Sequence, residues 1–322
     1  MKKEVPIIPP IDRDLIRQEL TPQRFVRKTK RLDNEVYIVN HHNAPNVVRE
    51  IGRLRELSFR SSGGGTGMAL DLDEFDTSER CYEQMIIYNP RDREIVGGYR
   101  FIDCAKAYNP ATGQYELSTL HYFDFSPLFY EKYLPHTIEL GRSWIQPAYQ
   151  SGNTDSRQSL YALDNLWDGL GGIVATHPHV EYLFGKVTMY PDFDRMSRDA
   201  LLHFMHYYFP DPDRLVVPKK PLGFDFPREN FLDIFEGKDY KTGYRNLVRF
   251  MRSRNHNIPP LINSYMNLSS TMKVFGTAMN NDFGAVEETG ILVTIADIRP
   301  SVLQRYLMKK PENKQPDNHT TT

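Results

Sequence analysis

The chain has 322 residues, 40% of them hydrophobic and 25% charged, and its 40 basic residues are balanced by 41 acidic ones. This is the composition of a globular protein of one large domain or two modest ones, and it carries no overall positive field for nucleic acid. Two cysteines, Cys81 and Cys104, exclude a disulfide framework, and no apolar run is long enough to span a bilayer, so a reduced, cytoplasmic protein is expected.

Residues 1–34 are punctuated by prolines, and five cations fall between Arg24 and Arg31 around Phe25. One interpretation is a solvated surface helix, which is the usual role of such a charge run. The other is a docking patch for an acidic partner or for peripheral contact with an anionic membrane. We treat the segment as a basic extension that precedes the main domain.

The main domain is predicted to cover residues 35–308. Residues 35–39 (EVYIV) are predicted as a strand, and residues 46–58 as a helix with Asn46 as its N-cap, because their apolar residues recur with a helical period. The loop at 61–67 (SSGGGTG) lacks the Gly-Lys-Ser/Thr ending of a phosphate-binding loop. We interpret it as a flexible, substrate-gated loop.

Four acidic residues lie within 71–76 (DLDEFD). Their spacing does not match an EF-hand, which needs Gly at its sixth position and Glu at its twelfth. The segment is either a solvated acidic turn or a carboxylate cluster that orients a cationic amine. A β-hairpin follows at 83–102, and its second strand carries Arg100, which is either exposed at an edge or directed at an anionic group.

The stretch 136–147 (HTIELGRSWIQP) is predicted as a strand that runs into a loop. Glu139 and Arg142 are three residues apart, and an odd offset puts side chains on opposite faces of a regular strand. A bulge at Gly141 brings both to one face. The pair is either a structural ion pair or part of a functional site, and the stretch alone does not decide between them.

The remaining elements complete the predicted fold. Residues 105–135 are loop-rich and aromatic and are expected to form part of an apolar pocket wall. Further elements are helices at 159–176, 194–209 and 230–255, a strand at 180–189, two strands within 272–298, and a disordered tail at 309–322. Because an antiparallel hairpin lies within this alternation, we expect an α/β protein with a mixed, mainly antiparallel sheet flanked by helices. A helical insertion around residues 228–256 carries a second basic face, from Lys238 to Arg254.

Six segments stand in a defined order: LRELSFR (54–60), DLDEFD (71–76), EIVGGYRFI (94–102), ELGRSWIQPAY (139–149), VEYLFGKVTM (180–189), and IPPLINSYMNL with NDFG (258–284). In combination they resemble the GNAT-fold N-acyltransferases of lipid biosynthesis. These are the ornithine-lipid and glycine-lipid N-acyltransferases, sometimes labelled hemolysin-like, and they are distant relatives of the acyl-homoserine lactone synthases. The resemblance covers most of residues 46–298.

The resemblance implies transfer of a fatty acyl group, which can be 3-hydroxylated, from acyl carrier protein to the α-amine of glycine or ornithine. The donor would be a phosphopantetheine thioester, and no bound cofactor or metal is implied. By position, Glu139 and Arg142 resemble the family's catalytic pair. The residues implied in substrate binding are Arg100, Asp73, Asp76, Arg55, Phe59 and Ser143.

Aminolysis of a thioester needs a neutral amine, a polarised carbonyl and a protonated leaving thiol. Because an amino acid's amine is mostly charged at neutral pH, a base must accept a proton, and we assign this role to Glu139. Arg142 either holds Glu139 ionised or binds the substrate carboxylate, for which Arg100 is the other candidate. Tyr99 and Tyr149 are both candidates for protonating the thiolate.

Two alternative functions stay open. An acyl-homoserine lactone synthase would require S-adenosylmethionine, and the chains of that family are shorter. A catalytically inactive GNAT scaffold would bind lipid or carrier protein without transferring an acyl group. The expected partners are an acyl carrier protein, an amino-acid acceptor and, through the basic segments, an anionic membrane surface.

Overall fold

The computed structural model describes residues 5–150 and 156–307, without the side chains of residues 156–160 and 307. The predicted tail at 309–322 therefore lies outside the described residues. In chain order the described strands are β1 (Phe25–Lys28), β2 (Glu35–Val39), β3 (Glu83–Asn89), β4 (Glu94–Asp103), β5 (Tyr108–Asn109), β6 (Gln114–Tyr115), β7 (Phe123–Phe125), β8 (Thr137–Ile145), β9 (Tyr182–Met189), β10 (Val216–Pro218), β11 (Lys273–Asn280) and β12 (Val286–Thr294). The described helices are α1 (Arg13–Glu19), α2 (Pro45–Arg60), α3 (Glu74–Thr77), α4 (Ser156–Thr176), α5 (Arg195–Tyr208), α6 (Leu232–Phe235), α7 (Tyr240–Ser253), α8 (Pro260–Met266) and α9 (Pro300–Val302).

Eight strands form one sheet in the order β1-β2-β3-β4-β8-β9-β12-β11. Every neighbouring pair is antiparallel except β8 and β9, which run parallel. The long α4 crossover between β8 and β9 is what a parallel pair requires. The predicted mixed, mainly antiparallel α/β sheet is thus confirmed.

The two faces of the sheet are covered by different helices, because side chains alternate along each strand. Met85 and Ile87 of β3 pack on the face that α4 covers, together with Leu166 of that helix. Ile86 lies on the other face, in a cluster with Ile51 of α2. Each such fully buried aliphatic side chain stabilises the fold by about 1.5–3 kcal/mol.

Helix α2 begins differently from the prediction. Its first residue is Pro45, whose fixed φ suits the first helical position, and the N-cap is Ala44 rather than Asn46. The Asn46 and Val47 backbone N–H groups donate to the carboxylate of Glu19, at 3.2 and 2.9 Å. A carboxylate from α1 thus supplies the acceptor that an N-cap side chain usually provides.

The predicted helix at 230–255 is wrong as a single element. It is divided into α6 and α7 at residues 236–239, where Gly237 adopts a left-handed φ of 65°. Asp239 then caps α7 by accepting the Thr242 N–H at 2.8 Å. Lys238 consequently lies in the break and not on the basic face of α7.

The cation cluster at 24–31 is not part of a surface helix, because β1 lies within it and pairs antiparallel with β2 at the edge of the sheet. Arg27 donates from Nη1 to the Tyr306 carbonyl at 3.2 Å. The Lys30 backbone N–H donates to the Asp168 carboxylate at 2.8 Å. Part of this polar surface therefore stabilises the fold.

A bulge interrupts β8 where it faces β4. Gly98 pairs with Trp144 and Arg100 with Gly141, so one residue of β4 lies opposite two residues of β8. The residue in the left-handed region is Arg142, with a φ of 46°, and not Gly141. A non-glycine residue in this region costs about 1–3 kcal/mol and persists only where its surroundings hold it.

The parallel pair β8–β9 separates beyond its first four residues. Backbone pairing runs from Thr137 opposite Tyr182 to Leu140 opposite Gly185, although both strands continue for several residues. The bulge at Arg142 begins where this pairing stops. The sheet therefore opens at one point, and the candidate site lies there.

Candidate active site

A cavity of about 530 Å³ lies at the opening between β8 and β9. Gly141, Arg142 and Ser143 line one side of it, and Lys186 lies on the β9 side. The predicted wall segment at 105–135 contributes Ser118, His121 and Tyr122, whereas the segment 259–262 and Phe283 contribute a wall from later in the chain.

Three arginines and three aspartates form a largely buried ion network at the base of this cavity. We call this network the cavity-side cluster. Its members come from α2, from the acidic segment at 71–76, from β4 and from the bulge in β8. They are Arg55, Asp71, Asp73, Asp76, Arg100 and Arg142.

Arg55 is the innermost member of the cavity-side cluster and is fully buried. Its Nε donates to Asp71 at 2.8 Å, while Nη1 and Nη2 donate to the two oxygens of Asp76 at 2.9 and 3.2 Å. This bidentate geometry is the strong form of an arginine–carboxylate pair. Arg55 does not line the cavity, so its direct role is to hold the two aspartates.

Arg100 and Arg142 meet over Asp73. Arg100 donates from Nη1 to Asp73 and, at 3.1 Å, to Asp76. Arg142 lies 3.1 Å from Asp71 and 3.6 Å from Asp73, and its guanidinium stacks 4.2 Å from the Phe283 ring centroid. These contacts hold Arg142 in its left-handed conformation on the Arg100 side of the sheet.

The charges of the cavity-side cluster keep its aspartates ionised. Burial by itself raises the pKa of Asp76, but the Arg55 and Arg100 guanidinium groups outweigh it and hold that pKa well below its ordinary value. Burial likewise raises the pKa of Asp71, and the charges of Arg142 and Arg55 lower it further than burial raises it. The pKa of Arg100 is raised, because Asp76 and Asp73 outweigh its burial.

Glu139 lies next to this cluster but binds hydroxyl groups instead of cations. Tyr82 donates to its Oε1 at 2.8 Å, Ser118 donates to the same oxygen at 2.7 Å, and Thr119 donates to Oε2. Burial and the Glu139 charge raise the pKa of Tyr82 well above its ordinary value, so its phenol stays a donor. Glu139 is only 1% exposed and does not line the cavity.

The predicted site residues divide by their access to the cavity. Phe59, Asp73, Arg100, Arg142 and Ser143 line it. Asp73 has the most open side chain of the cavity-side cluster, at 26% exposure, followed by Arg142 at 15%, whereas the Arg100 side chain is 3% exposed. Arg55, Asp76 and Glu139 lie behind these residues and reach the cavity only through them or through Ser118.

Several residues that sequence reasoning did not single out also belong to the site. Ser118 both lines the cavity and donates to Glu139, and a serine in a loop gives no signal of this in the sequence. Lys186 and Glu288 form an ion pair at 2.6 Å in the cavity wall, and Lys186 lies 4.2 Å from the Tyr122 ring centroid. Lys186 stands within an apolar strand, which is the same signal that singled out Arg100.

The two tyrosines proposed as acids are in different places. Tyr99 lines a small side pocket of about 40 Å³ that shares Gly141, Arg142 and Ser143 with the main cavity. Burial raises the pKa of Tyr99, which keeps its hydroxyl protonated. Tyr149 instead bonds to Asn89 and Asp92 at the end of the β3–β4 hairpin and does not line the cavity.

The glycine-rich loop at 61–67 lies at the rim of the cavity. The Thr66 and Gly67 N–H groups donate to Glu56 at 3.0 and 2.8 Å. A side chain at Gly284 would come within 2.8 Å of the Gly64 backbone, so the two glycines allow the loop to pack against the turn that carries Phe283. Substrate gating by this loop stays a prediction.

Among the described residues there is neither a candidate membrane-spanning helix nor a candidate metal-binding group. None of the helices there is both long enough and apolar enough to cross a membrane. No group of three or more His, Cys, Asp or Glu side chains is arranged there to hold a metal ion.

Comparison with known proteins assigns the fold family. Residues 54–158 match the model of the acetyltransferase (GNAT) domain, a span that runs from α2 through the bulge in β8. No solved structure matches the chain.

Two relatives match almost the whole chain. A glycine N(alpha)-acyltransferase of Bacteroides thetaiotaomicron is 48% identical over 310 residues, which are 95% of this chain and 92% of the relative. A glycine N(alpha)-acyltransferase of Phocaeicola vulgatus is 43% identical over 310 residues, which are 95% of each chain. The chain is therefore an acyltransferase and belongs to the GNAT-fold family of aminolipid N-acyltransferases.

Proposed function

We propose that this N-acyltransferase moves a fatty acyl group from the thioester of an acyl carrier protein to the α-amine of an amino acid. Glycine is the first proposed acceptor, because both relatives are named for it, and ornithine is the second. The observation that carries the proposal is the cavity at the β8–β9 opening, where an arginine and an aspartate face the same space as a serine bonded to a buried glutamate.

Arg142 and Asp73 suit the two charged ends of an amino acid. The planar guanidinium of Arg142 is partly open to the cavity and can bind the acceptor carboxylate. Arg100 is less suited to this role, because its side chain is only 3% exposed, against 15% for Arg142, although both are paired with two aspartates. The carboxylate of Asp73 is the most open one of the cavity-side cluster and can hold the acceptor ammonium before it is deprotonated.

Glu139 accepts the proton through Ser118 in this proposal. The acceptor ammonium gives a proton to the Ser118 oxygen as the Ser118 hydroxyl proton passes to Glu139, over a hydrogen bond of 2.7 Å. The neutral amine then attacks the thioester carbonyl. General-base assistance of this kind contributes roughly 10²–10⁴-fold to a rate.

The thioester is proposed to lie in the opening between β8 and β9. Backbone N–H groups of the bulged segment 141–143 are suited to stabilise the oxyanion. As the C–N bond forms and the C–S bond breaks, one of the two protons left on the nitrogen passes to the leaving thiolate, and the amide keeps the other. Tyr99, protonated and next to Ser143, is the proposed donor of the thiol proton and is then reprotonated from the amine. Glu139 then releases its proton to solvent through Ser118, so the base is restored.

A matched pair of variants tests the proton path. Ser118 and Thr119 both donate to Glu139, but only Ser118 lines the cavity. Ser118→Ala is expected to lower kcat at least tenfold and to change the pH dependence of kcat, whereas Thr119→Ala is expected to lower stability with a smaller effect on kcat. Equal losses of kcat in the two variants would contradict the path through Ser118.

The reaction itself is tested with purified protein, acyl carrier protein thioester and a panel of amino acids. The expected product is an N-acyl amino acid with glycine preferred. Detection of a lactone with S-adenosylmethionine would replace the proposal by acyl-homoserine lactone synthesis. An absence of acylated product with every acceptor would favour the inactive scaffold.

A further inference from the structure

Helix α7 carries a row of exposed cations on its outer face. Lys241, Arg245, Arg249 and Arg252 are exposed and follow one another at intervals of four, four and three residues, which places them on one side of the helix. The sequence of α7, YKTGYRNLVRFMRS, contains no acidic residue. The helix is about 21 Å long. We call these four residues the α7 stripe.

The protein itself neutralises the α7 stripe only in part, because Asp239 at the N-cap attracts Arg245 without a direct ion pair. Within residues 5–150 and 156–307, none of the four cations lies within ion-pair distance of a carboxylate, and Arg245 donates to the Thr242 hydroxyl at 3.3 Å. Two nearby arginines differ from the stripe residues in having carboxylate partners, because Arg228 pairs with Glu236 and Arg254 pairs with Asp194. The positive field of the stripe is therefore available to an anionic partner.

The inner face of α7 is already occupied by the fold. Gly243, Leu247 and Met251 are buried, and the helix packs against α5 and α6. None of the large exposed apolar side chains of the described residues belongs to α7. Helices that insert into a lipid surface embed an apolar face in it, and α7 has none to offer, so its contact with a membrane would be electrostatic alone. A folded acidic protein fits this surface better than a lipid bilayer does.

The chain leads from the end of the α7 stripe to the cavity wall. The segment that follows α7 leads to Pro259 and Pro260, which line the cavity. Arg254, directly after α7, binds both oxygens of Asp194 at 2.6 and 2.8 Å. Asp194 is four residues after Tyr190, another cavity-lining residue. Two short chain segments therefore link the end of α7 to residues of the cavity wall.

We propose that the α7 stripe is the docking surface for the acidic carrier protein that delivers the acyl thioester. The inference rests on the proposed function, because it takes the acyl donor to be a carrier protein. Attraction between the stripe and an acidic helix of the carrier raises the association rate and orients the acyl arm towards the cavity. The stripe contributes to recognition of the carrier and not to the chemical step.

The test compares two double variants with the same change in charge. Arg245→Glu/Arg249→Glu reverses the centre of the α7 stripe. The control, Arg49→Glu/Lys132→Glu, reverses two exposed cations on α2 and in the segment before β8, and neither residue lines the cavity. The dissociation constant of acyl carrier protein is measured for wild type and both variants at several salt concentrations. This measurement does not require turnover.

The stripe variant is expected to bind acyl carrier protein about tenfold more weakly and with less salt dependence, while the control binds like the wild type. With acyl-pantetheine as a small donor, all three proteins are expected to have the same kcat/KM. If the carrier binds the stripe variant as tightly as the wild type, or does not bind the wild type, the docking proposal is overturned.

Two further outcomes separate the proposals. Loss of binding to anionic vesicles in the stripe variant, with carrier binding unchanged, assigns the stripe to lipid and overturns carrier docking. Carrier binding that depends on the stripe, in a protein that forms no N-acyl amino acid, supports docking while the proposed acyl transfer fails.

Discussion

Two ion clusters of similar chemistry can be compared within the described residues, and they differ in their access to the cavity between β8 and β9. The cavity-side cluster opens through Asp73 and Arg142 into the space between β8 and β9. The second, which we call the back cluster, joins α5 and β12 to the chain before α6. Its members are Arg195, Arg198, Asp199, Asp225 and Glu287.

The centre of the back cluster, formed by Arg198, Asp199 and Glu287, resembles the cavity-side cluster in burial and pairing, whereas the side chains of Arg195 and Asp225 are 42% and 49% exposed. Arg198 is 1% exposed, and its Nε donates to Glu287 at 2.6 Å. None of the five residues lines the cavity. Glu287 and its neighbour Glu288 show the difference within one strand, because they point to opposite faces and only Glu288 lies in the cavity wall. Burial and pairing alone therefore do not identify a functional site, and access to a cavity is also needed.

The largest effect on activity is expected from Glu139→Gln. An amide cannot accept the proton that passes through Ser118, so kcat should fall roughly 10²–10⁴-fold. The loss of a charged acceptor from three hydroxyl donors also destabilises the fold by about 1–3 kcal/mol. Steady-state kinetics at a temperature where both proteins are folded check this expectation, and a kcat within threefold of wild type would remove Glu139 from the reaction.

Matched glutamine variants compare the two clusters directly. Arg100→Gln and Arg198→Gln each remove one almost fully buried guanidinium and leave carboxylates unpaired. Each is expected to lower the free energy of unfolding by about 3–5 kcal/mol. Only Arg100→Gln should also lower the kcat/KM of the folded enzyme. Chemical denaturation with activity assays checks this, and an equal loss of kcat/KM in both variants would end the distinction between the clusters.

A smaller effect on kcat/KM is expected at the open edge of the cavity-side cluster. Asp73→Asn weakens the contacts with Arg100, Arg142 and the proposed acceptor ammonium. Hydrogen bonds to charged groups contribute about 1.5–3 kcal/mol, which corresponds to about a tenfold to hundredfold lower kcat/KM. Asp225→Asn is the control, because Asp225 pairs with Arg195 at 2.6 Å but lies away from the cavity, so kcat/KM should not change.

Acid is expected to weaken the cavity-side cluster only at low pH. The pKa values of Asp71 and Asp76 are held below their ordinary range, so both are ionised in the folded state wherever an unfolded aspartate is. Their contribution to stability is present above the unfolded pKa of about 3.9 and is lost as pH falls further. Denaturation from pH 7 to pH 3 should show this decline in wild type and a shallower one in Asp76→Asn. An equally steep decline in the variant would mean that the loss of stability in acid comes from groups other than Asp76.

Much of the fold could be predicted because its signals are local. The β3–β4 hairpin and the helical periods fixed a mainly antiparallel sheet with flanking helices. The bulge in β8 was predicted from the odd offset between Glu139 and Arg142, but at the wrong residue. Arg142, not Gly141, adopts the left-handed conformation, because Asp71 and Phe283 hold its side chain. Those contacts join distant parts of the chain, and the sequence does not show them.

From the residues alone, the clearest signal of the candidate site was a charge within an apolar segment, whereas Phe59, Asp73 and Ser143 were predicted through the family resemblance and line the cavity. Arg100 and Arg142 were found through this charge signal, and the cavity-side cluster brings them together. Ser118 was missed, because the hydrogen bond that gives it a role comes from a residue 21 positions away. Glu288 was missed, although it stands in the strand β12, where the rule that found Arg100 also applies.

The most direct test of the central claim is mass spectrometry of lipids from a host that expresses the wild type or Glu139→Gln at equal protein levels. We expect a new N-acyl amino acid, with glycine as the first acceptor, in cells with the wild type only. The same new species at the same level in both strains would show that Glu139 is not the base. No new species with the wild type, in a host that makes both proposed acceptors, would contradict the proposed acyl transfer.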